Sequence, residues 1–249
     1  MASSKSIIDV VLKRRIILKY ICQHKPDKRN LVESVSESRP TVDRAVRELE
    51  DLNLVERRNG ACEPTFTGQT AYDICEEFRD SFQILKKIKT KNSSLSPEAN
   101  LHKSIFFGGS VYTPPDHAPY DKIKLVNKDL TNAKNIIAVF GVLSPYINTI
   151  IAQGEHEKST NITLLVSNKI LDEGLISLTP HIESCIQIYG GIGSPEYSLF
   201  LIDDEILYIG VHSETNHISA VIRNTNQQAI QWAKDSISEL KNNGTPHTE

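Results

Sequence analysis

The stretch from Ser38 to Glu50 constrains the fold more than any other part of this 249-residue chain. Pro40 is tolerated in the first turn of a helix, where its missing N–H is not needed, and Ser38 just before it is a favourable N-cap. Apolar residues then recur at helical spacing, namely Val42, Ala45, Val46, Leu49 and Leu52. The pattern predicts an amphipathic helix with one buried face.

The polar side of this predicted helix carries Arg39, Thr41, Arg44 and Arg47. Because guanidinium groups pair with phosphate oxygens and with guanine edges, we interpret the stretch as the recognition helix of a winged helix-turn-helix. The alternative is an ordinary solvated helix whose arginines bind nothing. Asp43 is an acid on a surface that would face DNA, and it either accepts from a cytosine amino group or tethers a neighbouring arginine.

The residues before this helix fit the same interpretation. A first helix is predicted from about Lys5 to His24, and a short helix, capped by Asp27, from Lys28 to about Val35. The apolar side assigned to the first helix consists of Ile7, Ile8, Val11, Leu12, Ile16, Leu18 and Ile21. Helix, short helix, turn and basic helix is the order found in helix-turn-helix domains.

A hairpin is predicted directly after the basic helix. Asn59-Gly60 separates two extended segments, 54–58 and 61–66, and both turn residues tolerate a positive φ. Arg57 and Arg58 stand beside the turn, where a wing would reach phosphates or the minor groove. The alternative is a plain surface hairpin.

A longer helix is predicted from Thr67 to about Lys89. Its apolar residues, Ala71, Cys75, Phe78, Phe82 and Leu85, alternate at spacings of four and three, which is typical of a coiled-coil seam. The seam predicts either a homodimer interface or a helix packed on its own domain. Polar residues follow, so we place a DNA-binding domain at 1–90, a linker at 91–100 and a second domain at 101–249.

The second half alternates strands with helices and ends in a hairpin, a further strand and a last helix capped by Asn224, which predicts an α/β domain. Gly190-Gly191-Ile192-Gly193 is not a dinucleotide fingerprint, because Ser194-Pro195 prevents a helix from opening behind it; we expect a loop over a ligand pocket. Ligands bind at the carboxyl ends of parallel strands. The ligand-binding residues predicted on that basis are Tyr112, Tyr120, Ser144, Tyr146 and Tyr189.

Charge and cysteine content restrict the partners and the compartment. Residues 1–91 carry 18 Lys and Arg against 14 Asp and Glu, whereas residues 92–249 carry 10 against 17. Only the first half is therefore expected to meet a polyanion. Four scattered cysteines indicate reduced thiols in a cytoplasm, and no segment resembles a signal peptide or a membrane-spanning helix.

Two sequence features resemble archaeal regulators. The order VSESRPTVDRAVRELEDLNLVERRNG, followed by TFTGQTAY, is similar to archaeal winged-helix transcription regulators with a C-terminal effector domain, of the TrmB-like and methanogenesis-regulator-like group. YSLFLIDDEILYIGVHS and ISAVIRN are similar to their effector domains. The resemblance implies an α+β winged helix-turn-helix followed by an α/β, phospholipase-D-like domain.

The same resemblance implies operator binding, usually as a dimer. Carried over by position, it points to Arg39, Pro40, Thr41, Arg44 and Arg47 on the helix and to the wing arginines. No lysine follows His212 at the spacing of the phospholipase D signature, so we expect a sensing domain without catalysis, metal or cofactor. We therefore expect a transcription regulator that binds double-stranded DNA, and the alternatives are a degenerate phosphodiesterase or nuclease tethered to DNA and a protein-interaction module.

Overall fold

The computed structural model divides the chain into two compact units, an N-terminal unit, Met1–Asp80, and a C-terminal unit, Ser81–Glu249. The division falls inside a helix and lies before the boundary predicted at residue 90. None of the described helices combines the length and the apolar character needed to cross a membrane. The structure describes residues 6–89, 95–96, 98–114, 123–131, 133–142, 145–156, 160–173, 186–214 and 217–247.

The N-terminal unit has the predicted order of helices followed by a hairpin. Its elements are α1 (Ile7–His24), α2 (Lys28–Ser34), α3 (Arg39–Asp51), β1 (Val55–Arg58), β2 (Ala61–Pro64) and α4 (Phe66–Lys89), which continues into the C-terminal unit. The strands pair antiparallel, and Asn59 and Gly60 between them have φ values of 50° and 84°, so the predicted hairpin is confirmed. Asp27 caps α2 as predicted, because its side chain accepts from the Asn30 amide at 2.8 Å.

The apolar side predicted for α1 is wrong in four of its seven residues. Val11, Leu18 and Ile21 are buried, but Ile7, Ile8, Leu12 and Ile16 are exposed. The buried arc instead includes Val10, Arg14 and Ile17. Apolar residues cover more than one face of this helix, and periodicity alone does not say which face meets the core.

The residues predicted to form the seam of α4 are divided between buried and exposed positions. Tyr72 and Cys75 pack in the core of the N-terminal unit, and Ile84 and Ile88 in a core of the C-terminal unit. Three residues of the predicted seam, Phe78, Phe82 and Leu85, are instead exposed, and together with Ile74 they form an exposed apolar line on the same helix.

The structure describes residues 95–96 and 98–100 of the predicted linker 91–100. Residues 91–94 and 97 lie outside the described residues. Leu95 packs against a core of the C-terminal unit, and Ser96 binds the carboxylate of Glu196 through its amide at 2.6 Å and its hydroxyl at 2.8 Å. The end of the predicted linker is therefore part of the C-terminal unit.

The C-terminal unit is built on a mixed sheet of eight strands. The strand order is β10-β6-β5-β4-β7-β8-β9-β3, with β4, β5 and β6 parallel and the remaining pairs antiparallel. The strands are β3 (Ser110–Tyr112), β4 (Asn135–Phe140), β5 (Asn161–Val166), β6 (Ile186–Gly190), β7 (Tyr197–Ile202), β8 (Ile206–His212), β9 (Ile218–Asn224) and β10 (Thr245–His247). The helices are α5 (Ile123–Leu130), α6 (Pro145–His156), α7 (Asn168–Asp172) and α8 (Gln227–Asn243).

Two expectations for this unit are corrected. Apolar residues alternate over Ser104–Tyr112 and predict an extended segment, but Lys103–Ile105 forms a 3₁₀ turn and only the last three residues form a strand. Asn226, and not Asn224, caps α8. The buried Asn224 instead donates to the carbonyls of Ile105 at 2.8 Å and Phe107 at 2.9 Å. These bonds hold the turn that precedes β3.

A polar pair lies inside the sheet region. The hydroxyl of Ser198 on β7 is 2.9 Å from Nε2 of His212 on β8, and the two residues are 0% and 2% exposed. Burial lowers the pKa of His212 to about 4, so the imidazole is neutral at neutral pH.

We predict that His212 makes the C-terminal unit less stable in mild acid. In the unfolded chain this histidine takes up a proton below its ordinary pKa of 6.5, whereas in the folded chain it does so only near pH 4. Stability is therefore complete above pH 6.5 and falls as the pH drops, by about 2 kcal/mol at pH 5. Urea unfolding followed by the fluorescence of Trp232, the single tryptophan, measures this loss.

The control variant is His212→Gln, which retains a polar side chain but does not titrate. Its unfolding free energy should lose about 2 kcal/mol less than the wild type between pH 7 and pH 5. An equal loss in both proteins would show that His212 is not the group responsible.

Candidate nucleic-acid interface

The recognition helix predicted from the sequence is α3, and it turns the predicted face outward. Val42, Ala45, Val46 and Leu49 are 0–2% exposed in the core of the N-terminal unit. The residues that the sequence assigned to DNA remain accessible: Arg39, Pro40, Arg44 and Arg47 are exposed, and Thr41 is half-buried.

The start of α3 differs in one detail from the expectation. Pro40 is in the first turn as predicted, but the Ser38 side chain makes no capping bond to the backbone. Its hydroxyl is instead 2.9 Å from the hydroxyl of Thr41. A hydroxyl partner one turn away competes with the backbone amides for the same side chain.

Three acidic side chains of α3 are each paired with a cation on a different neighbouring element. Asp43 pairs with α2, Glu48 with α1, and Glu50 with the wing. The pairs are Asp43 Oδ1 with Lys28 Nζ at 2.9 Å, Glu48 Oε2 with Arg14 Nε at 2.8 Å, and Glu50 Oε1 with Arg57 Nε at 2.7 Å. They connect the helix to α2, α1 and β1.

Asp43 binds within the protein, but not to the neighbouring arginine that the sequence suggested. Asp43 tethers a lysine of α2, which neither alternative named. The Lys28 ammonium holds the pKa of the Asp43 carboxyl below its usual range, and Arg39 and Arg47 add to the effect. The carboxylate is therefore charged at neutral pH and neutralised on the side of α2.

The three arginines of α3 keep their charge available. Within the described part of the chain, Arg39, Arg44 and Arg47 form no salt bridge, and three of the four acids of the helix are bound to other elements. Guanidinium groups that are exposed and unpaired can bind anionic oxygens without first breaking an ion pair.

The wing arginines are placed differently. Arg57 is paired with Glu50, and Arg58 Nη2 lies 2.9 Å from Glu56 Oε1. Their side chains are still 50% and 64% exposed. Since an exposed ion pair is worth little, each arginine can change partner at a small cost, but neither is free in this structure.

The tyrosines predicted to gather at a ligand pocket do not all lie together. Tyr112 is on β3 and Tyr189 is on β6, which are six steps apart in the sheet, or about 29 Å at the usual strand spacing. At that distance one small ligand cannot touch both residues. The prediction placed them together because the sequence alone does not give the strand order. Tyr120 and Ser144 lie outside the described residues, as does the side chain of Tyr146 on α6.

Two families match consecutive parts of the chain. Residues 7–86 match the family described as the HVO_A0261 N-terminal domain. Residues 119–243, half of the chain, match the family described as the middle domain of the methanogenesis regulatory protein FilR1. A comparison with curated protein sequences finds no match.

Solved structures show only distant similarity. TrmBL2, described as an archaeal chromatin protein with a novel mode of DNA binding, is 10% identical with a TM-score of 0.42, covering 97% of this chain and 98% of its own. NucT from Helicobacter pylori is 11% identical with a TM-score of 0.44, covering 56% and 98%. Nuc from Salmonella typhimurium, a phospholipase D family member, is 11% identical with a TM-score of 0.42, covering 57% and 99%.

We predict that breaking the Arg14–Glu48 pair unfolds the N-terminal unit more easily. Their side chains are only 9% and 11% exposed, so Glu48→Ala leaves a buried guanidinium without its partner and should cost about 3 kcal/mol or more. Urea unfolding of the full chain by circular dichroism measures the loss, and hydrogen exchange assigns it to α1 and α3.

The matched control replaces both charges with apolar side chains of similar size, Arg14→Met with Glu48→Leu. Because no buried charge is left alone, this variant should recover most of the lost stability. A double variant as unstable as Glu48→Ala would contradict this account of the pair.

Proposed function

The chain belongs to the family of the FilR1 middle domain, which is named for a methanogenesis regulatory protein, and on this premise we propose that it is a DNA-binding transcription regulator. In this proposal α3 enters the major groove of double-stranded DNA, and the hairpin of β1 and β2 contacts the backbone beside it. The C-terminal unit senses a small effector and has a phospholipase-D-like arrangement, in which the β7–β8 hairpin is followed by β9.

The distribution of ion pairs on α3 carries the proposal. A surface helix that only needed to be soluble would gain from pairing its arginines with its own acids. Here Asp43, Glu48 and Glu50 are all bound to other elements, and the three guanidiniums are left exposed on one side. Such a surface is complementary to a polyanion, although the chain as a whole carries a net charge of −3.

We propose that the C-terminal unit regulates without catalysing a reaction. Ser198 and His212 have the spacing of a nucleophile and its base, but both are buried and the pKa of His212 is about 4. A base with so low a pKa removes protons poorly at neutral pH. This favours a sensing unit over a phosphodiesterase or nuclease.

Removing the three arginines should abolish specific DNA binding. We predict that Arg39→Ala, Arg44→Ala and Arg47→Ala together weaken binding at least about 100-fold, because each lost bidentate contact contributes about 1–3 kcal/mol. Fluorescence anisotropy at several salt concentrations measures it, with a duplex selected from a random library by the wild type. The slope of log K against log salt should become shallower by about 0.9 for each lost phosphate contact.

The control variant removes three exposed lysines from the C-terminal unit, Lys86→Ala, Lys103→Ala and Lys128→Ala, and so changes the net charge equally. It should bind the selected duplex almost as tightly as the wild type. If the selection yields no bound duplex, or if the two triple variants bind alike, the regulator proposal is wrong.

We propose that two copies pair through the exposed apolar line on α4. Ile74, Phe78, Phe82 and Leu85 are 41–61% exposed and follow one another at helical spacing. Such a line on one helix fits the same line on a second copy, because an isologous interface must be complementary to itself. Two DNA-binding units in one particle raise the effective concentration of the second at its half-site.

Charges placed on the line should separate the dimer. We predict that Ile74→Glu with Leu85→Glu gives a monomer by size-exclusion chromatography with light scattering, since the pairing would bury four carboxylates per dimer. The matched control, Ile8→Glu with Leu12→Glu, changes equally exposed residues of α1 and should stay dimeric. The opposite result would assign the interface to α1, and a monomeric wild type would exclude the dimer.

A further inference from the structure

A cavity of about 350 Å³ opens in the C-terminal unit where three segments meet. One is the loop after β6 that contains the glycines noted in the sequence, one is the last half of α8, and one is the segment 98–100. Its lining includes Glu98, Ile192, Glu196, Tyr197, Glu239 and Leu240. The volume lies at the small end of the range for pockets that bind small molecules.

The lining has one sign of charge. Glu98, Glu196 and Glu239 supply carboxylates, and none of the described residues that line the cavity is a lysine, arginine or histidine. A phosphate or carboxylate ligand would meet repulsion there without a compensating cation. Ile192 and Leu240 provide an apolar part of the wall, so the cavity favours an organic cation with a hydrocarbon chain.

The Tyr197 side chain indicates that the cavity is built for a polar ligand. The residue is 7% exposed and lines the cavity, and its hydroxyl has no hydrogen-bond partner in the described part of the chain. Burial, with the charge of Glu239 nearby, raises the pKa of the Tyr197 hydroxyl, so it stays protonated. The hydroxyl is not one of the fully buried, unpaired side-chain atoms of the described residues, so it is accessible and can bond to a ligand in the cavity.

One carboxylate of the wall already has hydrogen-bond partners. Glu196 is occupied by the amide and hydroxyl of Ser96, which lower its pKa and fix the loop to the segment before the cavity. Among the described residues, no three His, Cys, Asp or Glu side chains are grouped closely enough to hold a metal ion. Without a third ligand beside them, Glu98 and Glu239 suit the N–H donors of an organic cation better than a metal ion.

We propose that this cavity is the effector site and that it binds a small aliphatic amine, with the ammonium groups at Glu98 and Glu239, the hydroxyl of Tyr197 as a hydrogen-bond partner, and the chain against Ile192 and Leu240. The assignment as an effector rests on the proposed regulator function. The binding of the amine itself does not depend on that function.

Calorimetric titration of the full-length chain without DNA tests the site with three ligands of equal length: 1,4-diaminobutane, 1,4-butanediol and succinate. Spermidine serves as a longer amine. At least one amine should bind with a dissociation constant of about 1 mM or tighter, and the diol and the diacid should not bind. Tyr197→Phe and Glu239→Gln should each weaken amine binding about tenfold.

Glu205→Gln is the matched control, because this exposed carboxylate lies in the turn between β7 and β8, outside the cavity. It should bind the amine like the wild type. If neither amine binds, or if Tyr197→Phe and Glu239→Gln bind it as well as Glu205→Gln does, the site is wrong. Intact DNA binding in that case would leave the regulator proposal standing, whereas amine binding without DNA binding would overturn only the regulator.

Discussion

The acidic residues of α3 determine which charges the N-terminal unit exposes on this helix. A helix of thirteen residues carries three arginines and four acids, and in isolation these would neutralise one another. Because Asp43, Glu48 and Glu50 bind cations on α2, α1 and β1, these contacts remove three of the four acids, all but Asp51, from competition for the arginines. Position and charge of the exposed surface therefore depend on one set of ion pairs.

These pairs differ in what they contribute. Arg14 and Glu48 are almost fully buried, so neither is easily replaced alone, and the pair fixes how α3 lies on α1. Lys28 with Asp43 and Arg57 with Glu50 are partly exposed and contribute little stability. Their effect is mainly to direct charge, and a phosphate approaching Arg57 would compete with Glu50 for the guanidinium.

Local signals made most of the N-terminal unit predictable from sequence. Asn59-Gly60 specifies a turn through backbone conformation, and Pro40 marks a helix start, so both were predicted where they occur. The exposed face of α1 was not predictable, because Ile8 and Val11 are equally apolar and only the neighbouring elements decide which is buried. The partners Lys28 and Arg14 were missed for the same reason, since a pair between distant segments leaves no spacing in the sequence.

The C-terminal unit shows more clearly what sequence patterns cannot predict. Alternation predicted its strands, but strand order places Tyr112 and Tyr189 on distant strands, and no periodicity encodes that order. The cavity beside Tyr197 likewise needs α8, the loop after β6 and residues 98–100 to come together. The glycines of the loop are visible in the sequence, while the other two walls carry no local signal.

A ligand in this cavity would touch the segment that follows α4 in the chain. It would influence DNA binding only if its affinity differed between two arrangements of that segment. In one such arrangement the Ser96–Glu196 bonds are formed. A ligand that binds this arrangement more tightly would stabilise it over any state in which those bonds are broken.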